Sequence, residues 1–203
     1  AETVAGASLT SLAALLGQSL LQKTIAGRYE LHEQVREYAA TQLRAAQEEI
    51  TTRDRHAEAI LALAEQAEPA LSGPDQAAWL ARLEEERDNL RAAAQWALEQ
   101  SAAETALRLC GALWRFWDMH GHFTEGRRWL EQALALPTHA LQPAIRLKAI
   151  NGAGTLARRQ SDYARSAALC EAGLAVSRSA GERYWTAVLL NGLGLLMRRQ
   201  GDF

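Results

Sequence analysis

The sequence predicts an all-α protein, a superhelix of stacked helical hairpins preceded by a segment that carries one small β-hairpin. Three observations predict it. Residues Asn151 to Tyr163 lie over Asn191 to Phe203 with eight of thirteen positions identical, at an offset of 40 residues. A fixed period of this length marks an array in which no unit buries its apolar face alone. Within one copy, Leu147, Ile150, Ala153, Gly154 and Ala157 recur at helical spacing, and Tyr163, Ala167, Cys170, Gly173 and Leu174 stripe a second helix after a turn at Gln160-Ser161-Asp162. Finally, only four prolines interrupt 203 residues, of which 48% are hydrophobic and 23% charged. That is an ordinary globular composition with few helix breakers.

Taken in order, Leu9, Leu12, Leu15 and Leu16 predict a short helix with Ser8 as its cap. Leu20 to Ile25 and Arg28 to Leu31 flank Ala26-Gly27, a hairpin signal. From Glu33, the spacing of Val35, Tyr38, Ala39 and Leu43 returns to helix. Two further helices are expected over about Thr52–Glu68 and Asp75–Glu86, with Pro69 and Ser72-Gly73-Pro74 breaking the chain between them. Another spans Asn89–Gln100, and Ser101-Ala102-Ala103-Glu104 reads as a capping box that opens the first repeat. In that repeat Gly121-His122-Phe123 aligns with Ser161-Asp162-Tyr163, Trp129 with Leu169, and Ala133-Leu134 with Gly173-Leu174. The expected organisation is a first domain over 1–48, a helical lead-in over 49–100 that packs it onto the array, and repeats of about 40 residues over 101–203, the last incomplete. A chain without an initiator Met that stops inside a repeat reads as part of a larger protein.

Composition excludes several function classes. A net charge of −2 gives no global attraction to nucleic acid or an anionic membrane. No apolar run approaches the roughly 20 residues of a membrane span and no signal peptide is present, so a cytoplasmic location is expected. Cys110 and Cys170 fall on apolar stripes and read as small buried hydrophobes. His120-x-His122 lies in a predicted turn with Asp118 as the nearest carboxylate and no Cys nearby, which reads as a solvated turn rather than a metal centre. Glu84-Glu85-Glu86 reads as a solvated helix face. No nucleophile–base arrangement can be assembled, so no catalytic residue, no metal and no resident cofactor are expected, and the chain is read as a non-enzyme.

Two resemblances follow from these residues. The repeat, with a Gly late in its first helix, a Gly-Asp-aromatic turn and small residues down its second helix, resembles the tetratricopeptide repeat. It departs in length, since that repeat is about 34 residues, and the extra six fall in the helices or in the loop around Ser177 to Arg183. The resemblance implies a groove lined by the first helix of each repeat: Arg108, Gly111, Arg115, Asp118 and Met119, then Lys148, Asn151, Thr155, Arg158 and Arg159, then Val188, Asn191, Leu195, Arg198 and Arg199. An asparagine ladder with paired arginines suits an extended peptide, and one of acidic character. Equally, an array copies surface residues together with its core.

The second resemblance concerns the beginning of the chain. Helix, hairpin, helix resembles the second half of a winged-helix domain. Tyr29 to Ala39, with Glu84 to Ala93 further on, is similar to segments of the STAND-class signalling ATPases, which include the MalT-like and LuxR-type bacterial regulators and the plant NB-ARC resistance proteins. The resemblance implies an upstream nucleotide-binding domain that takes ADP or ATP in the parent protein, with the repeats as sensor and partner scaffold. Leu31-His32-Glu33 matches that class's Met-His-Asp motif, which implies that His32 contacts the ADP phosphate, although both flanking residues differ and no P-loop is present in these 203 residues. The helix over Ser8–Gly17 occupies the DNA-recognition position of a winged helix and contains no Lys or Arg, and the wing offers Lys23 and Arg28 alone. Phosphate neutralisation dominates DNA affinity, so direct DNA binding by this chain is not expected. The expected function is a non-catalytic sensor and interaction module of a STAND-type transcriptional regulator. The alternatives are a DNA-binding winged-helix fragment or a stand-alone tetratricopeptide scaffold.

Overall fold

The computed structural model describes residues 4, 6–24, 27, 29–138 and 141–200, the side chains of 199 and 200 excepted. Among the described residues the chain is all-α, with ten helices and one two-stranded sheet. It divides into two compact units, residues 1–59 and 60–203.

Unit 1 begins with α1 (Leu9–Gly17), whose cap is Ser8: its hydroxyl accepts from the Ser11 amide at 3.1 Å. Strands β1 (Leu21–Lys23) and β2 (Tyr29–Leu31) pair antiparallel, with Leu21 opposite Leu31 and Lys23 opposite Tyr29. Of the expected turn, Gly27 takes φ 77°, while Ala26 and Arg28 lie outside the described residues. Helix α2 (Glu33–Ala45) follows. Neither α1 nor α2 contains a fully buried residue.

Helix α3 (Glu49–Ala70) holds the unit boundary and runs past the expected break at Pro69. Proline removes one amide donor, which is tolerable in a last turn, so the helix ends one residue later rather than before it. Unit 2 continues with α4 (Gln76–Glu85) and α5 (Arg87–Glu99). Two hairpins follow, α6 (Ala103–His120) with α7 (Phe123–Ala135) and α8 (Pro143–Arg159) with α9 (Tyr163–Ser179), and then α10 (Arg183–Gln200). The period is visible in the backbone. Ser101, Gly121, Ser161 and Gly181 all take the left-handed conformation, with φ between 53° and 75°. At Ser161 the amide bonds to Arg158 O (3.1 Å) and the next amide, Asp162, to Ala157 O (3.0 Å); the pairs Ser101/Ala102 and Gly181/Glu182 do the same. This double bond satisfies carbonyls that a helix end leaves open. It also corrects the capping-box reading: Ser101 belongs to the end of α5, and Ala102 caps α6 without a side-chain bond. The six extra residues of the period lengthen the helices, since α8 and α9 each have 17 residues and only 180–182 join α9 to α10. The turn of the last copy, 201–203, lies outside the described residues.

The core of unit 2 centres on α6, which buries Leu107, Leu109, Leu113, Phe116 and Trp117. Cys110 and Cys170 are free and buried, as the stripes predict, and burial pushes the Cys110 thiol up to about 12. Adjacent helices approach closely where one of them carries glycine. A Cβ on Gly126 would stand 2.5 Å from the Trp117 ring, one on Gly152 2.7 Å from Trp114 Cβ, and one on Gly173 2.8 Å from Leu189. Gly154 also faces its partner helix, but with room: a Cβ there meets Cys170 Sγ at 3.7 Å. The two glycines of α8 should therefore respond with opposite sign. Gly154→Ala gains helix propensity, roughly 1 kcal/mol, without a clash. Gly152→Ala gains the same propensity but overpacks against Trp114, at about 1–3 kcal/mol. Thermal melts of the two variants are expected to move up and down respectively, by about 2–4 °C per kcal/mol. A Gly152→Ala protein that melts above the parent would remove Gly152 from the helix contact.

Candidate functional site

Helical spacing turns one stripe of α8 into the core and the neighbouring stripe into a groove wall. Lys148, Asn151, Thr155 and Arg158 line a cleft of about 370 Å³ together with Arg115 and Asp118 from α6 and Val188, Asn191 and Leu195 from α10. Trp114, Tyr184 and Trp185 add aromatic surface, and Tyr184 is 70% exposed. A second cavity of about 520 Å³, lined by Arg108, Leu141 and Ile145 among others, shares Lys148 and Trp185 with the first. Arg108, Arg115, Asp118, Lys148, Asn151, Thr155, Arg158, Val188, Asn191 and Leu195 thus line these two cavities, while Arg159 lines neither. Gly111 is buried instead, its Cα side filled by the Lys148 stem. Met119 and Arg198 are exposed, and the Arg199 side chain lies outside the described residues.

The charges of this surface are largely compensated. Arg159 binds Asp118 through both carboxylate oxygens, Nε at 2.6 Å and Nη2 at 3.0 Å, and Asp118 is only 15% exposed. Lys148 Nζ meets Glu68 at 2.8 Å, and Arg108 grips Glu65 at 2.8 and 3.0 Å. Arg115 stacks over Trp114, with its guanidinium 4.7 Å from the ring centroid. Of the paired arginines that the sequence places in the groove, Arg159 is therefore not free to meet a ligand. Arg159 joins one repeat to the next, and the half-buried Arg158 side chain forms no hydrogen bond or ion pair among the described residues. The side-chain amides of Asn151 and Asn191 likewise form no hydrogen bond there, and both residues line the cleft.

In unit 1, His32 precedes α2 without capping it through its side chain; its Nε2 accepts from the Gln22 amide at 2.6 Å across the hairpin. Leu12, Leu15, Leu20, Leu31, Val35 and Leu43 line an open apolar cleft of about 910 Å³.

Sequence reasoning missed one convergence. Glu84 is half-buried rather than solvated, and both His120 and His122 face it from the α6–α7 turn. The signal was divided between segments 36 and 38 residues apart and had no local pattern. Glu84 begins an ion-pair chain. Arg87 bridges Glu84 (3.0 Å) and Glu125 (2.7 Å), and Arg91 binds Glu125 through Nε at 2.6 Å and Nη2 at 2.9 Å. Arg91 first, then Arg87, hold the Glu125 carboxyl down to about 2 despite its burial.

No family model matches the chain, and no solved structure matches it at a significant level. Curated relatives are similar over part of it. The "Putative HTH-type transcriptional regulator Rv0890c" of Mycobacterium tuberculosis H37Rv, its counterpart in strain CDC 1551 and that of Mycobacterium bovis are each 34% identical over 129 residues. The match covers 61% of this chain and 14% of each relative. Among the described residues no helix is long and apolar enough to cross a membrane.

Glu125 generates a pH prediction. A carboxylate whose folded pKa is depressed contributes stability that is present above its unfolded value, about 4.3, and is lost as pH falls through the folded value. Glu125→Gln should lower stability near neutrality by on the order of 2 kcal/mol. The gap from the parent protein should narrow below about pH 4.3 and close near pH 2. Denaturant titrations at several pH values check this; a gap unchanged at low pH would detach Glu125 from the network.

Proposed function

We propose that this chain is the non-catalytic sensor and partner-binding part of a transcriptional regulator of the STAND signalling ATPase class, with a tetratricopeptide-like groove that takes an extended peptide segment. The names of the mycobacterial relatives support the regulator reading. The observation that carries the groove reading is the pair of unbonded amides, Asn151 and Asn191, beside Arg158 on one cleft wall. Amides that stand one repeat apart suit the repeating donors and acceptors of a peptide backbone, and Arg158 with Arg115 favours a carboxylate side chain or terminus. The absence of cations from α1 supports reading unit 1 as something other than a groove-reading DNA module.

Capture of an immobilised acidic peptide library by the chain tests this reading. Each lost amide bond is worth about 1 kcal/mol, so Asn151→Ala with Asn191→Ala should weaken capture at least about 10-fold. Arg158→Ala should weaken acidic peptides selectively, whereas Arg159→Ala should act through stability, because Asp118 already occupies that guanidinium. Equal capture of acidic and basic peptides by all variants would leave the groove without a ligand.

For the whole protein the proposal includes an upstream domain that binds ADP or ATP, with His32 released from Gln22 to reach the phosphate. His32→Ala in the full-length protein is expected to speed ADP release and raise basal output. An unchanged off-rate would remove His32 from the nucleotide site.

A further inference from the structure

We infer that Glu84, His120 and His122 form a binding site for a divalent transition-metal ion of the zinc class, which clamps α4 to the α6–α7 turn. The backbone builds it. His120 ends α6, His122 precedes α7, and Gly121 between them takes φ 75°, which turns the two imidazoles to the same side. Glu84 comes from the last turn of α4. His122 Nε2 lies 3.0 Å and His120 Nδ1 3.5 Å from the same oxygen, Glu84 Oε2, and one ligand atom from each of the three residues falls within 4.8 Å of the others. Donors around a tetrahedral zinc at 2.0–2.1 Å stand roughly 3.3 Å apart, so the ion needs only small side-chain shifts.

The surroundings hold these groups in place. Arg87 Nη1 binds the other carboxylate oxygen, Oε1, at 3.0 Å, which leaves Oε2 facing the histidines. An outer partner of this kind orients a ligating carboxylate. The Phe116 ring packs against both imidazoles, with centroids at 5.1 and 5.9 Å, and the imidazoles lie nearly parallel at 20°. Two imidazoles and one carboxylate select zinc-like ions over magnesium or calcium, which require oxygen donors. The histidine side chains are 29% and 21% exposed, so an ion can enter and a water can complete its shell.

The test is a zinc titration of the chelator-treated 203-residue chain by calorimetry and by thermal melting, with magnesium as control. One zinc per chain is expected, with the melting midpoint raised by about 5 °C at a hundredfold excess over the dissociation constant. Cobalt should give visible bands of a low-coordinate nitrogen–oxygen site. His120→Ala, at an exposed helix end, and Glu84→Gln should each weaken binding at least about 10-fold, and His120→Ala with His122→Ala should abolish the stoichiometric site. Circular dichroism without metal verifies that each variant is folded. Zinc uptake that persists in the double variant would assign it to other histidines and overturn the proposal, as would a parent protein whose midpoint does not move with zinc.

Discussion

At three places in unit 2 a glycine on one helix leaves room for a large apolar side chain of its neighbour, and most of the other features of the unit depend on those contacts. Trp117 fills the space over Gly126, Trp114 that over Gly152, and Leu189 with Ile150 that over Gly173. In each case a large apolar group on one helix occupies the volume that a side chain on the other would need. Burial of such groups supplies the driving force, about 25 cal/mol per Å² of apolar surface, and glycine at the facing position makes the burial geometrically possible. Helix propensity works against these glycines by roughly 1 kcal/mol each, so packing outweighs local preference at these positions. Once the contacts are made, the rotation of each helix about its axis is fixed. The stripe beside the core stripe, with Asn151, Thr155 and Arg158, then has no choice but to face the cleft.

Ion pairs then link one hairpin to the next. Asp118 to Arg159 spans one repeat, as do Arg127 to Asp162 (2.7 Å) and Arg165 to Glu131 (2.9 Å). Exposed pairs of this kind contribute about 0–1 kcal/mol each, and the glycine contacts already hold the stack. One of these pairs matters for the cleft, because Asp118 at its edge holds the Arg159 guanidinium and so takes that cation from a ligand. What remains available is a short set of groups: two amides, the Arg115 and Arg158 guanidiniums, and aromatic surface at Tyr184 and Trp185.

The parts of this molecule that were legible in the sequence are those written in one period. The 40-residue repeat located the helices of the hairpins and their turns, because core and surface stripes recur together on each helix, but of the positions read as lining a groove Gly111 lies in the core and Arg159 in an ion pair. The helix break at Pro69 was misplaced because proline's cost depends on where in a helix it stands, and a last turn tolerates it. The capping box failed for a similar reason: Ser101 has the right chemistry for a cap, but its φ of 53° commits it to the preceding helix end. The groove charges were read as free because a sequence shows residue types and not their pairings, and Arg159 meets Asp118 from 41 residues away. Glu84 and the two histidines escaped notice on the same ground. Neither segment is informative alone, and only packing of α4 beside the α6–α7 turn makes them one group.

Helix α6 connects these observations. Its inner face carries Phe116 and Trp117 into the core, Arg115 and Asp118 lie on the cleft side, and His120 ends it against Glu84. Asp118 and His120 are two residues apart on one rigid element, so whatever fixes the position of His120 also restrains Asp118. Asp118 in turn holds Arg159, the neighbour of Arg158, on the next hairpin. One helix end and one bidentate ion pair thus lie between the Glu84 cluster and the groove wall, and neither of them takes part in the buried glycine contacts that hold the stack.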